Sequence, residues 1–250
     1  MKKFIPNLVT LLNLMCGSIA VIFAVHANFV AAALFVFLGI FFDFFDGLLA
    51  RKLNVQSDLG IQLDSLADMV TSGLVPGIVM YKLIAISTDA PEISVQEGWS
   101  SGFEINSVYI PLLALIGLFI TLASAYRLAK FNIDEDQQSY FKGLPTPANA
   151  LLILSLPLII EFQYSSFVTD LILNQWFLIG LTLLSCYLLN ANVKLFALKF
   201  KTYSFKPNAV RYGFVIFTVV MLVLFHFIAI PIVILAYFLT SLLFKSLTAA

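Results

Sequence analysis

Apolar residues run along this chain in blocks, and polar positions gather in the breaks between them. The blocks cover roughly 8–25, 29–49, 59–86, 108–128, 148–162 and 175–190, followed by a last stretch, 212–244, broken near Pro231. A helix that crosses a bilayer needs about 20 consecutive apolar residues; most of these blocks meet that length, and 148–162 falls short of it. With the last stretch taken as two segments, the pattern predicts an all-α integral membrane protein of about eight transmembrane helices in a single membrane domain over 1–250. Gly73 and Pro76 interrupt the third block and predict a kink there. The breaks differ in kind. Residues 87–107 hold Asp89, Glu92, Glu97 and Glu104 and no basic residue, 129–147 holds Asp134-Glu135-Asp136 and the sequence FKGLPTP, and 191–211 forms a basic loop.

The polar positions inside the blocks carry the chemistry. Asn7, Thr10 and Asn13 recur on one face of the first helix. Asp43, Asp46, Gly47 and Ala50 fall at i, i+3, i+4 and i+7 on the second, and Gly60, Asp64 and Asp68 step by four on the third. The link between the second and third helices, with Arg51, Lys52, Asn54, Gln56 and Asp58, is short enough to make them antiparallel neighbours, so the two acidic faces meet. A charged side chain at the bilayer centre costs about 2.5–3.5 kcal/mol on insertion scales, and four carboxylates together call for hard divalent cations with oxygen ligands. Helix caps or a solvated face explain these carboxylates less well, because their neighbours are Phe and Leu. Gly47, Ala50 and Gly60 leave room for a ligand to approach the backbone, or serve close helix packing. Arg51 is one turn from Gly47 and can grip phosphate as a planar fork.

Composition and charge narrow the class. The chain has 250 residues, 61% hydrophobic and 11% charged, where soluble domains carry about 25% charged residues; mean hydropathy is +0.99. A zero formal net charge gives no basic surface for nucleic acid. Cys16 and Cys186 lie in different blocks without metal-ligand neighbours, and His26 and His226 are isolated. Lys2 and Lys3 before the first block imitate a signal peptide, but the block is long and polar on one face. Basic residues set the orientation. With the N-terminus in the cytoplasm, Lys2, Lys3, Arg51, Lys52, Arg127, Lys130, Lys142, Lys194, Lys199, Lys201, Lys206, Arg211 and Lys245 all fall inside, and Lys82 alone lies near the outer side. The loops around Glu97 and Trp99 then face out and the loop around Lys201 faces in. Asp43, eight residues before Arg51, lies roughly 12 Å below the cytoplasmic edge at 1.5 Å per residue, so the site is shallow and opens to the cytoplasm.

The spacing D-x2-D-G-x2-A-R-x8-G-x3-D-x3-D, from Asp43 to Asp68, matches the signature of the CDP-alcohol phosphotransferase family without gap or substitution. That resemblance implies a six-helix catalytic core, here 1–190, followed by the basic loop 191–211 and two extra helices in 212–250. It implies transfer of a phospho group from a CDP-linked donor to an acceptor hydroxyl with release of CMP. Asp43, Asp46 and Asp64 would be metal ligands, Asp68 a metal ligand, the general base, or both, and the cofactor a divalent cation (Mg2+ or Mn2+, with Ca2+ possible), as two ions that clamp the attacking and leaving oxygens. Gly47, Ala50, Arg51 and Gly60 would contact the CDP moiety, with Asn7 and Thr10 enclosing the cytidine. The family also implies a homodimer.

Three further stretches, IPNLVTLLNLMCG, DSLADMVTSGLVP and the pair YRLAKFN with FKGLPTPANA, resemble the phosphatidylserine synthases of bacteria and archaea. Lys130 and Asn149 depart from the usual RLARFN and FxGLPxPAAA. The resemblance covers most of 1–150 and implies CDP-diacylglycerol and L-serine as substrates, in the inner membrane. Arg127 and Lys130, at the cytoplasmic end of their helix, are candidates for the serine pocket, or are basic anchors of that helix. A synthase of phosphatidylglycerol phosphate or phosphatidylinositol phosphate is the alternative within the family. A cation or proton transporter is the alternative outside it, and it would need polar positions continuing across the outer halves of the second and third helices, where 31–38 and 77–84 offer almost none.

Overall fold

The computed structural model describes residues 4–89, 111–133, 140–196 and 205–243. Lys2, Lys3, the loop around Glu92, Glu97, Trp99 and Glu104, the Asp134–Asp136 run, Lys199, Lys201 and Lys245 lie outside the described residues.

Helices α1 (Phe4–Val25) and α2 (Phe29–Lys52) form an antiparallel hairpin. Small buried residues, Ala20 and Ala24 on α1 with Ala32 and Ala33 on α2, let the two backbones approach closely. Asn28 caps α2 by accepting from the Ala31 amide at 3.1 Å. Ser57 caps α3 (Asp58–Asp68), accepting from the Gly60 amide at 3.2 Å, so the chain turns within 53–57; α3 then packs against α1 rather than directly on α2 as expected, and only the acidic side chains of α2 and α3 meet.

The third apolar block is one stretch, Asp58–Ser87, of 30 residues. Its expected kink is a π-helical segment, Met69–Leu74, between α3 and α4 (Val75–Ser87), with the Val75 amide donating to the Val70 carbonyl. Pro76, at the start of α4, has no N–H to continue the i→i−4 ladder. The Thr121 hydroxyl, from α5 (Phe119–Ile133), donates to the Gly73 carbonyl at 3.1 Å. Such segments occur often at functional sites, and this one begins at the residue after Asp68.

Helix α6 (Thr146–Phe162) is the centre of the bundle, buried from Leu152 through Ile159. Its 17 residues are short for a span because protein, rather than lipid, surrounds it. Residues 163–174 hold a further helix that hydropathy does not reveal, α7 (Ser166–Ile172), bent by 59° from α8 (Gln175–Asn190). The all-helical expectation misses one small feature: β1 (Tyr140–Lys142) pairs antiparallel with β2 (Lys194–Phe196), Phe141 opposite Leu195. Three-residue strands leave no period to read.

The last stretch differs from expectation at both ends. The residues expected as a basic loop, 191–211, contain β2 and the start of α9 (Phe205–Phe225); Lys206, Pro207, Asn208 and Arg211 in its first turns delay the hydropathy rise. The break is at His226–Ile228, where His226 has φ +46°, and not near Pro231. Pro231 lies in the first turn of α10 (Ala229–Leu243), where amides have no intrahelical partner to lose. Phe214 and Tyr237 meet with ring centroids 5.7 Å apart, so the 36-residue apolar stretch Asn208–Leu243 folds back on itself. Gln163 clasps the turn, donating to the Phe225 carbonyl and accepting from the Ile228 amide, both at 3.0 Å.

By length and composition five stretches can cross a membrane, or six with α7 and α8 as one span. The last of them folds back on itself as the α9–α10 hairpin, and α6, at 17 residues, is shorter than a span.

Candidate active site

The short 53–57 link brings the acidic faces of α2 and α3 together. Carboxylate oxygens of Asp43, Asp46 and Asp64 lie within 4.8 Å of one another. Among the described residues, the charged groups acting on Asp43 are Asp68, Asp64 and Asp46, all of them carboxylates. Like charges this close in a low-dielectric bundle repel strongly. An all-oxygen donor set without His or Cys matches a hard divalent cation, so the residues present fit the metal that the sequence motif implies.

Helix α1 supplies the surrounding hydrogen bonds. The Thr10 hydroxyl donates a short hydrogen bond to Asp46 Oδ2. Asn13 Nδ2 points at Asp68 Oδ1 across 3.4 Å, and the Thr71 hydroxyl donates to Asn13 Oδ1 at 2.8 Å. Such partners fix a carboxylate's orientation. Asp68 stands beside the other three but outside the set that converges within 4.8 Å; it faces Asn13 instead, and lies close enough to Arg127 to feel its charge.

A cavity of about 340 Å³ opens beside the carboxylates, a volume suited to a small-molecule ligand. All six residues expected around the CDP moiety, Asn7, Thr10, Gly47, Ala50, Arg51 and Gly60, line it together with Asp46 and Asp64. A side chain at Gly47 would meet nothing nearer than Arg51 Nη2 at 4.0 Å, so helix packing does not require this glycine and its open face is the cavity. At Gly60 a Cβ would sit 3.3 Å from Ser57 Oγ and 3.4 Å from Asn7 Oδ1; this glycine permits the close approach of α1 to α3. Gln56 and Ser57 also line the cavity. Sequence reasoning passed over both as linker, although Ser two residues before a Leu-Gly-Ile run is a recognisable helix cap.

The two candidates for the acceptor pocket part company. Arg127 is buried, 8% exposed, with Nη1 3.5 Å from Thr146 Oγ1 and Nε without a hydrogen-bond partner. It faces Asp68. Lys130, half-buried, reaches Asn192 Oδ1 at 3.5 Å. Both border a second, small cavity of about 20 Å³ with Lys142, Asn190 and Asn192. Thr146, unmarked by sequence reasoning, belongs to FKGLPTP, so the structure joins the two stretches of the pair through the Arg127–Thr146 contact. Gly143, at φ +75°, donates to the Val193 carbonyl at 2.9 Å, and the Leu144 amide to Leu188 at 2.8 Å; this turn fastens the loop to the end of α8. Asn149, the departure from the usual Ala, is buried and accepts from the Ser185 hydroxyl on α8.

The family model for CDP-alcohol phosphatidyltransferase matches residues 3–188. Among curated proteins, the chain is 34% identical over 163 residues to the CDP-diacylglycerol–serine O-phosphatidyltransferase of Bacillus subtilis, covering 65% of this chain and 78% of that one. It is 34% identical over 151 residues to the protein of the same name from Methanocaldococcus jannaschii, covering 60% of this chain and 58% of that one. A third, from Helicobacter pylori, is 30% identical over 151 residues, covering 60% of this chain and 55% of that one. The matched stretch therefore spans little more than half of the latter two. With the family model aligned across the helices that build the acidic site, the chain belongs to the CDP-alcohol phosphatidyltransferase family.

Proposed function

We propose that this membrane enzyme transfers the phosphatidyl group of CDP-diacylglycerol to the hydroxyl of L-serine, releasing CMP. The observation that carries the acceptor is Arg127: a buried guanidinium beside Asp68, with Nε unpartnered. A carboxylate-bearing acceptor suits such a fork. The alcohol that it anchors would then present its hydroxyl to Asp68. The relatives named for serine transfer support the same reading.

In this reading Asn7, Thr10, Gly47, Ala50, Arg51 and Gly60 hold the CDP moiety in the larger cavity, with Arg51 on phosphate. Asp43, Asp46 and Asp64 hold the divalent metal, as Mg2+ or Mn2+ and as two ions. When bound, the metal neutralises the diphosphate and favours departure of CMP. Asp68 takes the proton of the serine hydroxyl as its oxygen bonds to the lipid phosphorus and the bond from that phosphorus to CMP breaks. Asn13 fixes the Asp68 carboxylate for that role. Lys130 borders the small cavity and adds positive charge near the acceptor.

We further infer one membrane domain, with a catalytic core at 1–190 and an added C-terminal hairpin, the N-terminus and active site on the cytoplasmic side of the cell membrane, and a homodimer. Basic residues support the orientation: Arg51, Lys52, Arg127, Lys130, Lys142 and Lys194 lie at one end of the bundle. Family membership supports the dimer, and the mass of the protein in detergent micelles tests it. A panel of acceptor alcohols tests the substrate. CMP release from CDP-diacylglycerol is expected with serine; equal or faster release with glycerol 3-phosphate or inositol phosphate overturns the serine assignment.

A further inference from the structure

The smaller cavity beside Arg127 forms where three parts of the chain converge. Arg127 and Lys130 come from α5, Lys142 from β1, and Asn190 and Asn192 from the last residue of α8 and the stretch after it. The Gly143 amide donates to the Val193 carbonyl and the Leu144 amide to that of Leu188, so β1 is held against this helix end. At about 20 Å³ the cavity has room for the charged end of a small molecule and none for a nucleotide.

Two of the residues that border it carry a buried polar atom without a hydrogen-bond partner, and the two atoms are opposite in kind. Arg127 is 8% exposed, and its Nε has a proton to donate and no acceptor. Asn190 Nδ2 donates to the Ala123 carbonyl of α5 at 3.2 Å and to the Cys186 carbonyl one turn back at 3.3 Å. Both protons of that nitrogen are thereby used. A flipped amide would set its oxygen against two carbonyl oxygens, so the side chain has one orientation. Asn190 Oδ1 is thus held as an acceptor, buried and without a partner. The neighbouring amide differs, because Lys130 Nζ meets Asn192 Oδ1 at 3.5 Å. Leaving a buried donor or acceptor unpaired costs free energy, and here one of each belongs to the same cavity. An anion alone answers the arginine and leaves the amide oxygen unpaired. A cation alone meets the positive charge of Arg127 and Lys130. A ligand with a carboxylate and an ammonium on one carbon answers both.

We propose that Asn190 is a specificity-determining residue whose Oδ1 accepts from the α-ammonium of the acceptor while Arg127 holds the carboxylate, so that this cavity reads the amino-acid zwitterion. The inference rests on the reading of Arg127 as the anchor of the acceptor carboxylate and extends it to the second charged group of the same molecule. Because both groups sit on one carbon, a small cavity serves both, and the hydroxyl-bearing carbon stays outside it. A neutral amide suits the role better than a carboxylate, which would pair with Arg127 itself and block the anchor. An alcohol that has the carboxylate and lacks the amine leaves Asn190 Oδ1 buried and unpaired, and a site built around a hydrogen bond rejects a ligand that cannot make it.

The test uses the full-length protein in detergent–lipid micelles with CDP-diacylglycerol and compares serine with 3-hydroxypropanoate, which is serine without its amine. Each is read through CMP release, and the analogue also as a competitor of serine. Wild type is expected to favour serine about tenfold or more, the scale of a hydrogen bond to a charged group; equal affinity for the two overturns the proposal. Asn190→Ala is expected to raise the KM for serine about tenfold or more and to leave the KM or inhibition constant of the analogue within twofold. The KM for CDP-diacylglycerol stays at the wild-type value, which also reports that the protein is folded. An asparagine that only ties α8 to α5, or only holds a water, changes both compounds alike or neither, and either result overturns the proposal. If the analogue binds wild type too weakly to measure, the serine KM of Asn190→Ala decides: the tenfold rise supports the proposal and a smaller one overturns it. Arg127→Lys keeps the charge and loses the planar fork, and it is expected to weaken serine and the analogue together. If it does so while Asn190→Ala leaves the preference for serine intact, the ammonium site fails and the carboxylate anchor stands. If Arg127→Lys leaves serine affinity unchanged, the anchor reading fails and the proposal falls with it.

Discussion

Asp46 combines the two demands on a residue in this site: its carboxylate faces Asp43 and Asp64, and Thr10 fixes its orientation. Replacing it with Asn keeps the shape and removes a charge whose burial costs free energy, so the variant is expected to insert and fold. Turnover is expected to fall below a tenth of wild type at any practical metal concentration; activity above that level argues against direct ligation. Asp68 has a different environment, outside the converging set and facing Asn13 and Arg127. A positioned base is worth about 10²–10⁴-fold in rate. Asp68→Asn is therefore expected to lose activity on that scale while metal and CDP-diacylglycerol bind nearly as in wild type. A metal titration with lipid-nucleotide binding measured alongside decides between base and ligand, and rescue by excess metal would make Asp68 a ligand. The sequence alone left these roles joined because a four-residue step puts Asp64 and Asp68 on one face; in the structure Asp64 converges with Asp43 and Asp46, whereas Asp68 meets Asn13.

At the scale of elements, the joints hold the site together. The turn at Gly143 is pinned to the end of α8 through left-handed backbone at φ +75°. An alanine Cβ there is strained and would press on the last carbonyls of α8, Leu189 at 2.5 Å and Leu188 at 2.9 Å. Gly143→Ala is expected to lower stability by more than about 1 kcal/mol, read as an earlier thermal unfolding transition; an unchanged transition shows that the turn is not under this constraint. The apolar blocks made the main helices legible because lipid demands long uniform runs, and the boundaries at 29, 175 and 190 fell where hydropathy put them. Elements defined by backbone geometry left weaker traces. The Asp58–Ser87 break became a π segment whose register no hydropathy profile encodes, α7 was too short to show a period, and β1 and β2 exist only through each other. The break in the last stretch was misplaced because Pro231 is a strong sequence signal, whereas the actual turn rests on His226 and on Gln163 from a distant helix. The lining of the larger cavity was legible almost residue for residue, since it comes from one contiguous motif and the first helix. The surroundings of Arg127 were not, because Thr146, which its guanidinium meets, and Asn190 and Asn192, which border the same small cavity, come from far along the chain.

For the whole molecule, a reading with eight passes puts the 53–57 link, the β1–β2 ribbon and the start of α9 at one end of the bundle, and the α1–α2 turn at the other. The loops around Trp99 and Lys201 lie outside the described residues, so the orientation is better probed at His26 and Lys52, both exposed. A His26→Cys variant in intact cells is expected to react with a membrane-impermeant thiol reagent, and a Lys52→Cys variant only after the cells are opened; the reverse pattern inverts the topology. In the cytoplasmic orientation that we propose, the acidic cluster and the 340 Å³ cavity suit substrates that are charged at their reacting ends and lipidic elsewhere, with exposed Phe41, Phe44 and Leu48 of α2 presented to the bilayer. The central claim is that this acidic site joins CDP-diacylglycerol to serine with the help of a divalent cation. The most direct measurement supplies the purified protein with labelled serine and CDP-diacylglycerol, with and without a metal chelator, and follows label in the lipid fraction against CMP released. The account predicts one labelled lipid formed per CMP, abolished by the chelator and restored by added Mg2+ or Mn2+. CMP release without label in lipid, or lipid labelling that persists without divalent metal, would contradict it.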